Sequence, residues 1–142
     1  MLTVHRTVTT TTPPDRTTAY LADFENATEW DAGTLSCART RGDGRPGTVY
    51  RNVSRFAGRE VALDYTVESL TDDGIVLVGR NRTTTSTDRI TVRPHGAGSE
   101  VDYRAELSLS GPARFVQPVV GLLLERLGDR TAATLRQALD HL

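Results

Sequence analysis

The chain contains no lysine: all 17 of its basic residues are arginine, set against 18 acidic ones. The net charge of −1 therefore supplies no overall field to gather nucleic acid or an anionic membrane. Cysteine is nearly absent, and with Cys37 alone no internal disulfide can hold the fold. The histidines at positions 5, 95 and 141 lie far apart, without cysteine or carboxylate partners at ligand spacing, so there is no metal motif. No Gly-x-Ser-x-Gly turn or paired histidine supports a serine nucleophile. No apolar run approaches the ~18 residues needed to span a bilayer. The N-terminus lacks the basic stretch and apolar run of a secretory signal. The expectation is a cytoplasmic protein without stable membrane insertion.

What is present is globular. Apolar residues make up 37% and charged residues 25% of 142, which fits one domain over residues 1–142. Arginine in place of lysine, with 21 threonines, points to a GC-rich coding sequence of the kind found in actinobacteria. Thr3 to Thr12 reads as a first strand ended by Pro13-Pro14. Asp15 to Asp23 reads as a short helix, and Phe24 to Trp30 as a turn or second short helix. Turn signals then recur at Gly42-Asp43-Gly44, Ala57-Gly58-Arg59, Asp72-Asp73-Gly74 and His95-Gly96-Ala97-Gly98. Between them the period is two: Val61, Leu63, Tyr65 and Val67 share one face, as do Val101, Tyr103, Ala105, Leu107 and Leu109. Strands near 35–41, 48–56, 60–70, 74–81, 84–93 and 99–109 follow the first, predicting a seven-stranded antiparallel meander.

The last third changes period. Gly111 to Leu142 reads as one long helix, with Ser110 as cap, Pro112 in the first turn and a kink or late start near Pro118. At 100° per residue, Val116, Val119, Val120, Leu123, Leu124, Leu127, Thr131, Thr134, Leu135, Ala138 and Leu142 gather on one side. Arg114, Glu125, Asp129, Arg136 and Asp140 collect opposite. The fold class is α+β, with a curved sheet wrapped on a single helix. A helix about 10 Å wide covers only part of a twisted sheet, which leaves room for an apolar ligand between them. Bulky side chains from Val116 to Leu127 suit a roof over that space, and the smaller Thr131, Thr134 and Ala138 suit close packing.

Several stretches go beyond pattern. Residues Pro14 to Trp30 (PDRTTAYLADFENATEW) place a Pro-containing turn and a helix ending in Asp before an aromatic, Asn and Trp. Gly47-Thr48, Phe56-Ala57-Gly58-Arg59-Glu60 and Gly111-Pro112 follow in order. In this the chain resembles the polyketide cyclase/dehydrase branch of the START-like, or SRPBCC, superfamily, over nearly its whole length. The resemblance implies a helix-grip fold, a deep hydrophobic cavity and no cofactor. It does not imply one activity, because similar domains cyclise polyketides, carry lipids or sterols, or bind plant hormones.

The candidate ligand-binding residues are Trp30, Tyr50, Asn52, Leu63, Tyr65 and Tyr103 from the helical turn and strands, with Val116, Val119, Val120, Leu123, Leu124 and Leu127 from the helix. Trp30 can stack on a planar ligand or lock the short helices to the sheet. Tyr50 and Asn52 offer polar handles if the set Thr48, Tyr50, Asn52, Ser54 and Phe56 faces inward. The alternative inner set is Val49, Arg51, Val53 and Arg55. Tyr65 and Tyr103 point inward, as core residues or as phenols that orient a ligand carbonyl. Asp88 shares parity with Ile90 and Val92 and would be a base with a raised pKa if buried, or an ordinary strand-end carboxylate if exposed. Arg130 lies at the edge of the dry stripe, where it meets a ligand's carboxylate or an enolate, or extends its stem over apolar surface with its head in water. Asp23, Glu25, Glu29 and Asp31 read as a solvated acidic surface. Three functions remain open: binding of a hydrophobic, aromatic or polycyclic small molecule or lipid between sheet and helix, a polyketide cyclase or dehydratase with Tyr65, Tyr103 and Asp88 as catalytic candidates, or a partner-binding protein with a collapsed cavity. The oligomeric state, monomer or dimer, is not encoded in any of these patterns.

Overall fold

In the computed structural model, which describes residues 1–142, seven strands form one antiparallel sheet in the order β1-β7-β6-β5-β4-β3-β2. The strands are β1 (Leu2–Thr10), β2 (Thr34–Arg41), β3 (Val49–Phe56), β4 (Arg59–Thr71), β5 (Gly74–Arg80), β6 (Thr84–His95) and β7 (Gly98–Leu109). After β1 come the helix α1 (Pro14–Ala22), a 3₁₀ turn (Phe24–Asn26) and the one-turn helix α2 (Ala27–Trp30). Strands β2 to β7 form a meander, and β1 pairs with β7 to complete the sheet. Register shifts in β2, and in β4 between Val67 and Ser69, insert unpaired residues that bend the sheet.

The C-terminal helix is interrupted. A 3₁₀ turn (Gly111–Val116) precedes α3 (Gln117–Asp140), whose first turn holds Pro118. A proline there costs no internal hydrogen bond, which is why the helix begins late rather than kinking. Ser110 does not cap it; its backbone is extended and its hydroxyl donates to the Thr83 carbonyl at 3.4 Å.

The buried face of α3 is also rotated from the expected stripe. Gly128, Thr131, Leu135 and Leu139 are its buried residues, while Val119 and Leu122 are 61% and 57% exposed and Leu142 lies at the surface. On the wheel this is a turn of roughly 70°. Gly128 explains it: a Cβ there would lie 2.7 Å from Cγ1 of the buried Val4, so only glycine lets α3 settle against β1. Arg6 of β1 then reaches across the helix to Glu125 and Asp129, each at 2.9 Å.

At its C-terminal half α3 completes a solid core. Leu135 and Leu139 join Leu21, Phe24, Ala27 and Trp30 from the short helices, and Val67, Ile75, Leu77, Ile90 and Val101 from the sheet. Aromatic rings knit this half: Phe24 lies 4.9 Å from Tyr65, 5.8 Å from Tyr50 and 6.2 Å from Trp30, in the tilted and edge geometries that favour ring pairs. Thr134 donates to the Trp30 carbonyl at 2.6 Å, tying α3 to α2. The main contacts of α3 are therefore β1 on one side and α2 on the other. Between those supports its first half spans the sheet without filling the space beneath.

Candidate functional site

That space is a cavity of about 260 Å³. It is lined by 22 residues, 14 of them hydrophobic. Phe56, Val61, Leu63, Ala105, Leu107 and Leu109 form its floor on the sheet, and Val116, Val120, Leu124 and Leu127 its roof on α3 and the turn before it. The strand periodicity places them: β3 turns Asn52, Ser54 and Phe56 inward, and β4 turns Val61, Leu63 and Tyr65 inward. The interior is thus open rather than collapsed.

Two polar groups stand in this apolar lining. The first is centred on Asp88, 4% exposed on the inner face of β6. Its carboxylate accepts hydrogen bonds from the Ser86 hydroxyl at 2.7 Å and from the Tyr103 hydroxyl at 2.9 Å. Ser86 sits two residues back on the same face, and Ala105, directly opposite Asp88, is small enough to leave the carboxylate facing the cavity. Burial pushes the carboxyl up to about 6, against the lowering effect of those two hydrogen bonds. Tyr65 and Tyr103 are both held well above 10, first by burial and then by the negative charge of Asp88. The Tyr65 ring packs over Gly79, where a Cβ would come within 2.7 Å of it.

The second group is centred on Asp31, just after α2. It accepts from the hydroxyls of Thr34 at 2.7 Å and Thr131 at 3.0 Å, and Asn52 donates to Thr34 at 3.1 Å. This chain of bonds joins β3, β2, α2 and α3 at the margin of the cavity. No arginine or histidine lines it.

Of the residues singled out in the sequence, Asn52, Leu63, Tyr65, Tyr103, Val116, Val120, Leu124 and Leu127 line the cavity, as does Asp88. Four others do not. Trp30 and Tyr50 are 1% exposed and belong to the solid core, because α2 and the aromatic cluster draw them away from the open half. The Trp30 Nε1 is buried without a hydrogen-bond partner, and nothing in the structure explains it. Val119 and Leu123 are turned off the lining by the rotation of α3. Arg130 is exposed. The acidic group around Trp30 divides: Glu25 and Glu29 sit at the surface, whereas Asp31 borders the cavity. Asp31, Ser86, Gly128 and Thr131 line the cavity without being candidates in the sequence. The parity of Ser86 with Asp88, and the place of Thr131 on the apolar side of the helical wheel, are the signals there.

No group of three or more His, Cys, Asp or Glu side chains converges at metal-binding distance. No helix is long and apolar enough to cross a membrane.

A curved seven-stranded sheet gripping a long C-terminal helix, with two short helices after the first strand, is the helix-grip architecture of START-like proteins. A family model described as polyketide cyclase / dehydrase and lipid transport matches residues 1–140, and the chain belongs to that family. Among solved structures, it is similar to a START superfamily protein from Mycobacterium smegmatis (TM-score 0.74, 19% identity, covering 98% of this chain and 94% of that one). It is similar also to TTHA0849 from Thermus thermophilus (TM-score 0.79, 17% identity, 97% and 95% covered). The Zhui aromatase/cyclase from a Streptomyces species gives a TM-score of 0.77 at 14% identity, with 98% and 91% covered. At such identities the likeness establishes the fold alone. No curated protein matches the chain.

The Asp88 environment sets a pH dependence. With a folded value of about 6 against the ordinary 3.8, the folded protein holds a proton that the unfolded chain has released. Stability from this group is therefore present at low pH and falls as pH rises through that window. A difference of this size corresponds to on the order of 3 kcal/mol. Asp88→Asn is expected to be more stable than the parent near about pH 8 and to lose that advantage near about pH 4 in chemical denaturation; an advantage equal at both pH values would contradict the assignment.

Proposed function

We propose that this protein binds a hydrophobic small molecule, aromatic or polycyclic, between the concave face of the sheet and the first half of α3. The carrying observation is the cavity itself: an apolar space with convergent polar groups, set where α3 is held only at its margins. A preformed cavity of this composition is suited to an extended apolar ligand oriented by one or two hydrogen bonds. Family membership supports the same reading, since the family's description joins polyketide chemistry with lipid transport. The reading also implies a cytoplasmic protein that needs no cofactor for binding.

A second reading is favoured by Asp88 and its neighbours. A carboxylate whose proton affinity lies near neutrality, beside two phenols, is equipped for aldol chemistry. In that reaction Asp88 would take a proton from a carbon between two carbonyls, and the resulting enolate carbon would form a carbon–carbon bond to a third carbonyl of the same chain. The new alkoxide would take the proton back from Asp88. Tyr65 would stabilise the enolate oxygen by donating a hydrogen bond, the single O–H of Tyr103 being committed to Asp88. Asp88→Asn should then abolish cyclisation of a poly-β-keto substrate while leaving its binding intact; persisting turnover would eliminate Asp88 as the base.

For the binding reading, Leu124→Arg is expected to weaken binding of naphthalenemethanol by more than about tenfold without loss of circular-dichroism signal. Leu123→Arg, one residue away but off the lining, should leave it unchanged. Equal effects of the two variants would mean that the ligand does not lie under α3. Native mass spectrometry of protein purified from its own host should also show a co-purified hydrophobic molecule.

A further inference from the structure

The cavity lining is electrostatically one-sided. Two of its residues are carboxylates, Asp31 and Asp88, and none is arginine, lysine or histidine. Every partner that these carboxylates have is neutral: Ser86 and Tyr103 for Asp88, and Thr34, Thr131 and the Gly33 amide for Asp31. Arg6 shares the inner face of β1 with Val4 and packs against Gly128, but its guanidinium is engaged by Glu125 and Asp129, each at 2.9 Å, and does not line the cavity. A buried carboxylate ordinarily has a cation beside it, because neutral donors offset only part of the cost of removing the charge from water. Here the protein supplies none.

We infer that the missing cation belongs to the ligand, so that the cavity selects apolar molecules carrying a protonated amine and rejects those carrying a carboxylate. This rests on the ligand-binding reading above and names the chemical class that reading leaves open. A carboxylate has about four lone-pair positions, and Asp88 uses two of them on Ser86 and Tyr103. The remainder face the cavity, since Asp88 lies on the inner face of β6 among lining residues. An ammonium there gains a charge-assisted hydrogen bond and the attraction of Asp31 as well. An anionic headgroup meets two like charges in an apolar enclosure and no donor stronger than a hydroxyl or the Asn52 amide.

The selectivity should follow the protonation of Asp88. The titratable groups on its side of the cavity are Asp31 from the α2–β2 connection, Tyr65 from β4 and Tyr103 from β7; Leu124, Gly128 and Thr131 of α3 carry no charge, and the nearest inner-face cation of β1, Arg6, is paired with Glu125 and Asp129. Both phenols are held well above 10 and stay neutral. With its carboxyl raised to about 6, Asp88 is ionised at neutral pH and loses its charge in mild acid.

The test compares three probes of one shape by calorimetry on the full chain: naphthylmethylamine, naphthalenemethanol and naphthoate. Near about pH 8 the amine is expected to bind about tenfold or more tightly than the alcohol, and naphthoate more weakly than the alcohol. Near about pH 5, or in Asp88→Asn, the amine's advantage over the alcohol should shrink to within about threefold, chiefly through weaker amine binding. Asp31→Asn serves as the second variant and should reduce the same ratio. Equal affinities of amine and alcohol, or naphthoate binding as tightly as the alcohol, would overturn the inference while leaving the ligand-binding reading standing. Failure of all three probes to bind would overturn both.

Discussion

Close approach of α3 to β1 at Gly128 is the contact from which the other features follow. A side chain at this position would meet Val4, so its absence fixes both the distance and the rotation of the helix. Once seated there, α3 turns Leu135 and Leu139 into the core and presents Thr131 and Thr134 to α2 and the segment just after it. The helix is then held at both margins of the sheet. Its remaining residues bridge the strands without reaching their floor, and the cavity is what lies beneath the bridge.

The two halves of the interior differ in how they treat polar groups. In the solid half, apolar and aromatic side chains fill the space. In the open half, carboxylates at Asp31 and Asp88 are fixed by hydroxyl donors from β2, β6, β7 and α3. Such groups are costly inside a protein unless bonded, and these are bonded in a way that leaves capacity over. Burial that raises the Asp88 carboxyl to about 6 is thus tied to the same architecture that makes the space. Binding and proton transfer are two uses of one arrangement, separated by whether the bound molecule offers an acidic carbon beside its carbonyl groups.

Much of this was legible in the sequence, and the limits are instructive. Alternation along 60–70 and 99–109 identified the strands and put Leu63, Tyr65 and Tyr103 on the inner face, because a half-buried strand imposes a strict period of two. The ambiguous strand β3 was settled only by pairing: Asn52 opposite Leu63 and Tyr50 opposite Tyr65 place both on the inner face, yet one borders the cavity and the other is sealed in the core. The helical wheel failed by less than one residue's rotation. It weighed Val119 and Leu123 as apolar and gave no weight to Gly128, whose importance lies in having no side chain. Asp31 stands in the sequence among Asp23, Glu25 and Glu29, a setting that marks a solvated acidic surface. Its role depends on Thr131, far along the chain, and no local pattern records that meeting.

In the proposed function, the ligand lies in the space under the first half of α3. Heteronuclear NMR during titration with naphthalenemethanol tests it most directly. The largest chemical-shift changes are expected on Leu63, Tyr103, Ala105 and Leu124, with Phe115 and Leu122 unmoved. Changes confined to the exposed side of α3, at Phe115, Val119 and Leu122, would contradict it.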